Sequence, residues 1–302
     1  MEKKVYRSEE LFLGGDRGDS GDRPRYRVTI ADPAGNLTAL VEAEDDVPVM
    51  SWTNEERQRI TRRIMRECPA VEQVGFVIPG MPEAGGGTGS LWRLEMAGGE
   101  FCGNAARSFG LFVARKQGQR GKGAVPVTVS GAKDPLIVRA DTESGEAEVA
   151  LPPPRKIATI RYRGTALPAV MFDGITHVIM EGIDEHTDKA ALTETFFAVK
   201  ETAYNALVKD SADEQSFAAF GVLFSSTAFL RPAVFVSGIE NFAFENSCGS
   251  GSAAFAYYRA RHLPDGEHRL SLHQPGGTIT TRVVKETGKP DALFIGGTIL
   301  FQ

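Results

Sequence analysis

Two stretches of the chain begin with small and polar residues and then become apolar at helical spacing. They are EFCGNAARSFGLFVAR at residues 100–115 and FENSCGSGSAAFAYYRAR at residues 244–261. In each stretch, about one turn of polar and glycine-rich sequence precedes apolar residues that recur every three or four positions. The pattern predicts a loop and then a helix, with Cys102 and Cys248 at or just before the first turn.

The two cysteine segments also match each other. A glycine follows each cysteine directly, a phenylalanine comes seven residues later, and an Ala-Arg pair comes at twelve and thirteen. The chain has 302 residues, which exceeds one typical domain, and the cysteines lie at similar positions in its two halves. We therefore expect two similar halves with a break near Pro152–Pro154. Their helix starts should face each other across an interface, where small molecules commonly bind.

The rest of the pattern predicts many short strands and few helices, with a cysteine helix central to each half. Residues 53–69 predict the first helix, opened by Thr53 or Asn54 and ended at Pro69, and residues 202–215 with their neighbours predict another. Apolar and β-branched runs between Gly, Pro and Asp signals predict strands. These runs are residues 25–32, 37–44, 73–79, 90–97, 126–131, 136–141, 146–152, 218–226, 233–239, 242–246, 269–274 and 278–286.

The composition is that of an ordinary globular protein, with 42% hydrophobic and 24% charged residues. The net charge of −5 provides no large basic field, which argues against nucleic acid or an anionic membrane as a partner. No apolar run reaches the ~18 residues of a membrane span. Residues 1–23 lack a signal-peptide pattern and predict a flexible extension. Three cysteines without an export signal predict reduced thiols in the cytoplasm.

The sequence predicts neither a metal nor an organic cofactor. Cys68, Cys102 and Cys248 are far apart in the chain, and no histidine stands at zinc-ligand spacing from them. The glycine-rich run Pro82–Gly89 lacks the lysine of a P-loop and the spacing of a dinucleotide fingerprint. We interpret that run as a hairpin or surface loop.

Two thiols at facing helix starts suit the inversion of a stereocentre. Inversion requires one group to remove a proton from one face of a carbon and a second group to deliver a proton to the opposite face. A thiolate is favoured at a helix N-terminus, where exposed N–H groups and the helix dipole stabilise negative charge. Backbone N–H groups near the cysteines can also stabilise the charge that develops on a substrate carboxylate. The residues predicted to supply them are Gly103, Asn104, Gly249 and Ser250.

The cysteine segments resemble the two signature segments of the diaminopimelate epimerase fold, a family of cofactor-independent amino-acid racemases and epimerases. The similarity covers most of residues 30–280 and is closer to the histidine racemases of opine-type metallophore synthesis, such as that of staphylopine. The matching residues are DPAGNLTALV (32–41), EQVGF (72–76), MAGGEFCGNA (96–105), VSG (129–131), ENSCGSGSA (245–253) and LHQPGG (272–277).

This resemblance implies an α+β protein with two pseudo-symmetric domains, 24–150 and 151–302, and the active site in the cleft between them. Each domain is expected to be a β-rich shell around a central helix, and the last strand can return to the first domain. The resemblance further implies a homodimeric isomerase without pyridoxal phosphate or metal, whose two catalytic bases are Cys102 and Cys248.

The resemblance also implies substrate contacts. Asn36 and Gln73 match positions that line the family's pocket, and Glu72 is the best candidate to accept a hydrogen bond from an imidazole N–H. Diaminopimelate epimerases use polar residues to hold the distal end of their substrate. This chain has apolar residues at those positions, which disfavours diaminopimelate. They are Met96, Ile175 and Ala219.

Three functions are consistent with the sequence. The first is racemisation of histidine, supplying D-histidine for metallophore synthesis. The second keeps the fold and changes the substrate to diaminopimelate, proline or another amino acid. The third is a thiol redox protein or a ligand-binding protein whose two cysteines pair.

Several other polar residues have structural interpretations. Cys68 is predicted to be a small core residue, and His177 and His273 are predicted to be structural or pocket-wall residues. Glu245 is predicted to cap the second cysteine helix and to orient its loop. Four arginines are predicted to lie on solvated helix faces: Arg107, Arg115, Arg259 and Arg261.

Overall fold

The structure is a computed structural model that describes residues 25–44, 47–80, 91–184, 186–209, 217–226, 229–237 and 240–302. The predicted N-terminal extension and the glycine-rich run Pro82–Gly89 lie outside these residues. The helices are α1 (Asn54–Glu67), α2 (Gly103–Lys116), α3 (Lys189–Leu207) and α4 (Gly249–Ala260). The strands are β1 (Tyr26–Asp32), β2 (Leu37–Ala43), β3 (Val71–Ile78), β4 (Trp92–Met96), β5 (Lys122–Val129), β6 (Leu136–Asp141), β7 (Glu146–Leu151), β8 (Lys156–Tyr162), β9 (Thr165–Met171), β10 (Ile175–Glu181), β11 (Ala219–Ser225), β12 (Leu230–Val236), β13 (Asn241–Phe244), β14 (Gly266–Gln274), β15 (Gly277–Lys285), β16 (Ala292–Thr298) and β17 (Leu300–Phe301).

The chain divides into two compact units. The first comprises the chain up to Val149 together with Gly297–Gln302, and the second comprises Ala150–Gly296. Each unit is rich in strands and carries two of the α-helices. The predicted α+β class is therefore confirmed.

In the first unit, eight strands form a sheet in the order β7-β6-β5-β4-β3-β2-β1-β17. The pairs β2–β3 and β4–β5 are parallel. Helix α1 begins where predicted, because Thr53 forms a capping box with Glu56 that satisfies backbone N–H groups at the helix start. Ile60 and Ile64 of α1 then join the apolar core of this unit beside Trp52.

Helix α2 is the buried helix of the first unit. All residues from Gly103 to Ala114 are buried, including the polar residues Asn104, Arg107 and Ser108. The helix packs on β5 and β6. It approaches the sheet closely at Gly110, where an added Cβ would lie only 2.3 Å from the Val138 Cβ. A larger residue at position 110 would push α2, and the cysteine before it, away from the sheet.

In the second unit, six strands form a sheet in the order β13-β12-β11-β10-β9-β8, and β14, β15 and β16 pair in sequence as antiparallel neighbours outside that sheet. Strands β10 and β11 are parallel, and α3 connects them. Leu192, Phe196 and Val199 of α3 lie in the core of this sheet. Helix α4 contacts β14 and β15 as well as β9, β10 and β11.

Residues 210–215 of the helix predicted over 202–215 and its neighbours lie outside the described residues. The rest of that prediction corresponds to the last part of α3. Helix α3 begins at Lys189, where the Asp188 side chain accepts hydrogen bonds from the N–H groups of Ala190 and Ala191. This N-cap compensates for the absence of an acidic residue in the first turn. Within the described residues, none of the helices is long and apolar enough to span a membrane.

Candidate active site

Cys102 and Cys248 occupy the same position at the starts of α2 and α4. Each is the N-cap residue in extended conformation, with φ −129° and ψ 117° at Cys102 and φ −124° and ψ 113° at Cys248. Each Sγ accepts a hydrogen bond from the backbone N–H three residues later, at 3.4 Å from Ala105 and 3.3 Å from Gly251. The predicted position of both cysteines at the first turn is confirmed. Sulfur therefore takes the role that a hydroxyl or carboxylate oxygen usually has at an N-cap.

The predicted glycine, asparagine and serine partners form the first turns of these helices. Gly103 and Asn104 begin α2 and are buried. Gly249 and Ser250 begin α4, and the Ser250 hydroxyl lies 3.5 Å from Cys248 Sγ. The first N–H groups of a helix have no partner within the helix, so these residues can donate to an anion.

Arg107 is buried in α2, so the prediction of a solvated helix face was wrong for this residue. It is 0% exposed. Its Nε donates to Asn104 Oδ1 at 3.2 Å, and its terminal nitrogens donate to the carbonyl oxygens of Gly297 at 3.0 Å and Pro33 at 3.1 Å. The sequence did not predict this burial because both carbonyl oxygens belong to segments that are distant from Arg107 in the chain.

The Arg107 guanidinium supplies positive charge near the first cysteine. Burial lowers the pKa of Arg107 to about 10, and the charges that Cys102 and Asp32 carry when ionised oppose that change. The guanidinium therefore remains protonated at neutral pH. Its attraction to a Cys102 thiolate acts in an interior where charges are weakly screened.

Three side chains of the first unit were predicted to contact the substrate, and the structure brings two of them, Asn36 and Glu72, together. The Asn36 side chain is buried, and its Nδ2 donates to Glu72 Oε2 at 2.6 Å. Gln73 follows Glu72 in β3. Asn36 Oδ1 and Gln73 Oε1 are buried and accept no hydrogen bond from the described residues. Buried acceptors of this kind are uncommon in proteins, and a catalytic or ligand-binding role is one explanation for them.

The three positions predicted to disfavour diaminopimelate are distributed over both units. Met96 is buried at the end of β4. Ile175 and Ala219 are direct partners across the parallel pair β10–β11. Among the described residues, no group of three or more His, Cys, Asp and Glu side chains is arranged to hold a metal ion.

His177 is connected to Cys248 through Ser250, a contact that the sequence did not reveal. Its Nε2 is hydrogen-bonded to Ser250 Oγ at 2.9 Å. The ring lies over Gly221 on the neighbouring strand, where an added Cβ would be 2.3 Å from Nδ1. Burial lowers the pKa of His177 to about 3, so the imidazole is neutral at neutral pH. A neutral imidazole can donate or accept in the chain His177–Ser250–Cys248.

Glu245 does not cap α4, because Cys248 is the N-cap residue, and that part of its prediction was wrong. Its carboxyl group instead forms a hydrogen bond with the Cys248 thiol. Burial raises the pKa of Cys248 well above its ordinary value, and the charge and hydrogen bond of Glu245 raise it further. Hydrogen bonds from the Ser250 hydroxyl and the Gly251 N–H lower the pKa of Cys248, but their effect is smaller. Cys248 is therefore a thiol at neutral pH.

The family described as "Histidine racemase CntK N-terminal domain" matches residues 28–301. The chain belongs to this histidine racemase family. A histidine racemase of Fusobacterium nucleatum (strain ATCC 23726) is 28% identical over 282 residues, covering 88% of this chain and 91% of the relative. A histidine racemase of Staphylococcus aureus (strain Mu50) is 26% identical over 254 residues, covering 82% of this chain and 84% of the relative.

Solved structures similar to this member of the histidine racemase family agree on the fold. A hydroxyproline epimerase from Agrobacterium vitis has a TM-score of 0.60 and 12% identity, with coverage of 92% of this chain and 91% of that chain. A PhzF-family phenazine biosynthesis protein from Bacillus anthracis has a TM-score of 0.60 and 14% identity, with coverage of 91% and 96%. At such low identity these similarities establish a common fold and not a common substrate.

Replacing Glu245 by glutamine in this histidine racemase family member is expected to lower the pKa of the Cys248 thiol. The change removes the negative charge that opposes the thiolate and keeps the size of the side chain. Alkylation of Cys248 by iodoacetamide, followed against pH by peptide mass spectrometry, should reach half its maximal rate at a lower pH than in the wild type. A Glu240→Gln variant provides the control, and an unchanged alkylation profile in Glu245→Gln would contradict this account of the thiol.

Proposed function

We propose that this isomerase interconverts L- and D-histidine by a two-base mechanism in which Cys102 and Cys248 act on opposite faces of the substrate Cα. The observation that carries the proposal is the identical N-cap geometry of the two cysteines in a chain of the histidine racemase family. The proposal includes the expectation of two pseudo-symmetric domains with the active site between them. It requires both thiols to reach one substrate molecule.

The two cysteines differ in their surroundings, which supports different starting roles. Cys248 is kept as a thiol by burial and by Glu245, so it can donate a proton. Cys102 lies in the field of the charged Arg107, which favours a thiolate. In one direction, the Cys102 thiolate removes the Cα proton and Cys248 delivers its own proton to the opposite face. In the other direction, the two cysteines exchange these roles.

Proton transfer by positioned groups accounts for only part of the required catalysis. A positioned acid or base typically contributes ~10²–10⁴-fold, and the Cα of an amino acid is a weak acid. The negative charge that develops on the substrate carboxylate must therefore be stabilised by nearby donors. We assign this role to the backbone N–H groups at the starts of α2 and α4, from Gly103, Asn104, Gly249 and Ser250.

We assign recognition of the imidazole ring to Glu72, which Asn36 holds by a hydrogen bond. A hydrogen bond to a charged group contributes about 1.5–3 kcal/mol, so Glu72→Ala should raise KM for histidine about 10–100-fold with a smaller change in kcat. Steady-state kinetics in both directions test this expectation. Glu44→Ala is the control, because Glu44 forms surface ion pairs with Arg25 and Arg27. An unchanged KM in Glu72→Ala would exclude Glu72 as the imidazole partner.

Chiral chromatography tests the substrate assignment. Purified, reduced protein should convert L-histidine to D-histidine without an added cofactor. Formation of D-proline from L-proline, or of meso-diaminopimelate from the L,L form, in place of D-histidine would contradict the assignment. A thiol redox protein would produce no change of configuration in any of these amino acids.

We further propose that the D-histidine enters metallophore synthesis and that the protein is a homodimer, as the family resemblance implies. The first proposal predicts that a metallophore synthase from the same organism uses D-histidine in preference to L-histidine. The second predicts twice the chain mass of 32.6 kDa in solution. Product analysis of the synthase and light scattering test these two proposals.

A further inference from the structure

A buried glutamine contacts the backbone of the second cysteine. Gln274 is the last residue of β14 and is 5% exposed. Its Oε1 accepts a hydrogen bond from the Cys248 N–H at 2.9 Å, and its Nε2 donates to Ser252 Oγ at 2.7 Å. The two-thiol mechanism assigns no role to this side chain.

Ser252 closes a ring of hydrogen bonds around the cysteine. Its hydroxyl accepts from Gln274 and donates to the Cys248 carbonyl oxygen at 2.6 Å. All three residues are buried. The ring thus holds both the N–H and the C=O of Cys248, on either side of the Cα that carries the thiol. A primary amide is suited to this arrangement, because it presents a donor and an acceptor at a fixed spacing.

The turn after β14 adds a second contact to the same loop. The Gly276 N–H donates to the carbonyl oxygen of Asn246 at 2.8 Å. An N-cap residue cannot use its own N–H within its helix, so α4 alone leaves the Cys248 N–H without a partner. Gln274 and Gly276 therefore hold the segment before α4 from the side of the β14–β15 turn.

We propose that Gln274 is a positioning residue that fixes the Cys248 thiol for proton transfer with the substrate Cα. This inference rests on the proposed two-cysteine function. Proton transfer requires the acid or base to lie within hydrogen-bond reach of the reacting carbon. A displacement of about 1 Å can reduce a rate ~10²-fold, so a side chain that fixes the cysteine backbone affects kcat without contacting the substrate.

The Gln274→Leu variant tests this proposal because it removes both hydrogen bonds and keeps a similar volume. We expect kcat to fall about 10²-fold in both directions with KM changed less than about threefold. The position of Cys102 in the other unit is unaffected. In deuterated buffer, the enantiomer deprotonated by Cys102 should therefore exchange its Cα hydrogen faster than it inverts, and the ratio of exchange to inversion should rise for that enantiomer alone.

The control is Gln119→Leu, which removes a glutamine side chain that donates to the Gly121 and Ala140 carbonyl oxygens in the first unit. It should leave the ratio of exchange to inversion unchanged. If Gln274→Leu does not fold, Ser252→Ala removes one arm of the ring and should cause the same asymmetric change with a smaller, about tenfold, fall in kcat.

The Cys248→Ser variant separates failure of this inference from failure of the function. If Cys248→Ser is inactive and Gln274→Leu has wild-type kcat, the positioning role is wrong and the two-cysteine function stands. An equal loss of exchange and inversion for both enantiomers in Gln274→Leu would also contradict the positioning role. If Cys248→Ser still racemises histidine, the function on which the inference rests is wrong.

Discussion

Single replacement of Cys102 or Cys248 by serine is expected to abolish histidine racemisation, with kcat reduced by at least ~10²–10⁴-fold. A serine hydroxyl has nearly the shape of the thiol but is a far weaker acid, so it can neither form the base nor return the proton at neutral pH. Neither remaining cysteine can act on both faces of the Cα. Chiral chromatography of histidine from both starting enantiomers measures the loss.

The two serine variants should also differ from each other in a diagnostic way. Each retains the base for one enantiomer, so each can exchange the Cα hydrogen of that enantiomer with solvent without inverting it. The retained enantiomer should be opposite in the two variants. Cys68→Ser is the control, because Cys68 ends α1 and is not part of the proposed site, and it should retain activity within about twofold. Full racemisation by either Cys102→Ser or Cys248→Ser would disprove the two-base proposal.

Replacement of Arg107 by methionine is expected to destabilise the protein by about 3–5 kcal/mol, because three acceptors lose their donor and a buried polar group left unsatisfied costs about 1–3 kcal/mol. The change leaves the carbonyl oxygens of Pro33 and Gly297 and the Asn104 side chain without their buried donor. It also removes the positive charge near Cys102, so activity should fall even where the variant remains folded. Urea unfolding measures the free energy, and kcat at a temperature below the unfolding transition measures the catalytic effect.

Arg259→Met is the matched control for Arg107→Met. Arg259 lies in α4, its side chain is 56% exposed, and it forms a surface ion pair with Glu181. Such a pair contributes about 0–1 kcal/mol, so the free energy of unfolding should change little. Equal effects of the two methionine variants would contradict the role of the buried Arg107 network.

The features that could be predicted from the sequence depend on neighbouring residues in the chain. The cysteine helix starts follow from a local change from small polar to apolar residues, and the start of α1 follows from Thr53 and Glu56, three positions apart. The features that could not be predicted depend on distant residues. Arg107 is buried because Gly297 and Pro33 accept its hydrogen bonds. Gln274, at the end of β14, accepts a hydrogen bond from the Cys248 N–H at the start of α4.

Four strands of the second unit were not predicted, namely β8, β9, β10 and β16, and the structure shows the reason for the first three. Strand β10 is buried along most of its length, so its residues do not alternate between apolar and polar. Strand β9 contains Pro168, which normally argues against a central strand. The proline is tolerated because the pairing of β9 with β10 covers only Ala169 to Met171. Strand β8 has only one buried residue, Ile160, so it lacks the regular apolar positions that predict a strand.

The predicted substrate contacts have unequal support. The hydrogen bond between Asn36 and Glu72 joins two residues that the family resemblance selected separately, which favours a shared role. Gln73, Gly103, Asn104, Gly249 and Ser250 stay predictions as substrate contacts. His177 was interpreted only as a structural or pocket-wall residue, because its connection to Cys248 depends on the packing of β10 against the start of α4.

The central claim is that two thiols invert the Cα of histidine from opposite faces. The most direct test starts with L-histidine in deuterated buffer, with reduced enzyme and no added cofactor, and follows both enantiomers at low conversion by proton NMR and chiral mass spectrometry. The account predicts that newly formed D-histidine carries deuterium at Cα while the remaining L-histidine keeps its hydrogen. D-histidine that retains the original Cα hydrogen, or the absence of D-histidine, would contradict it.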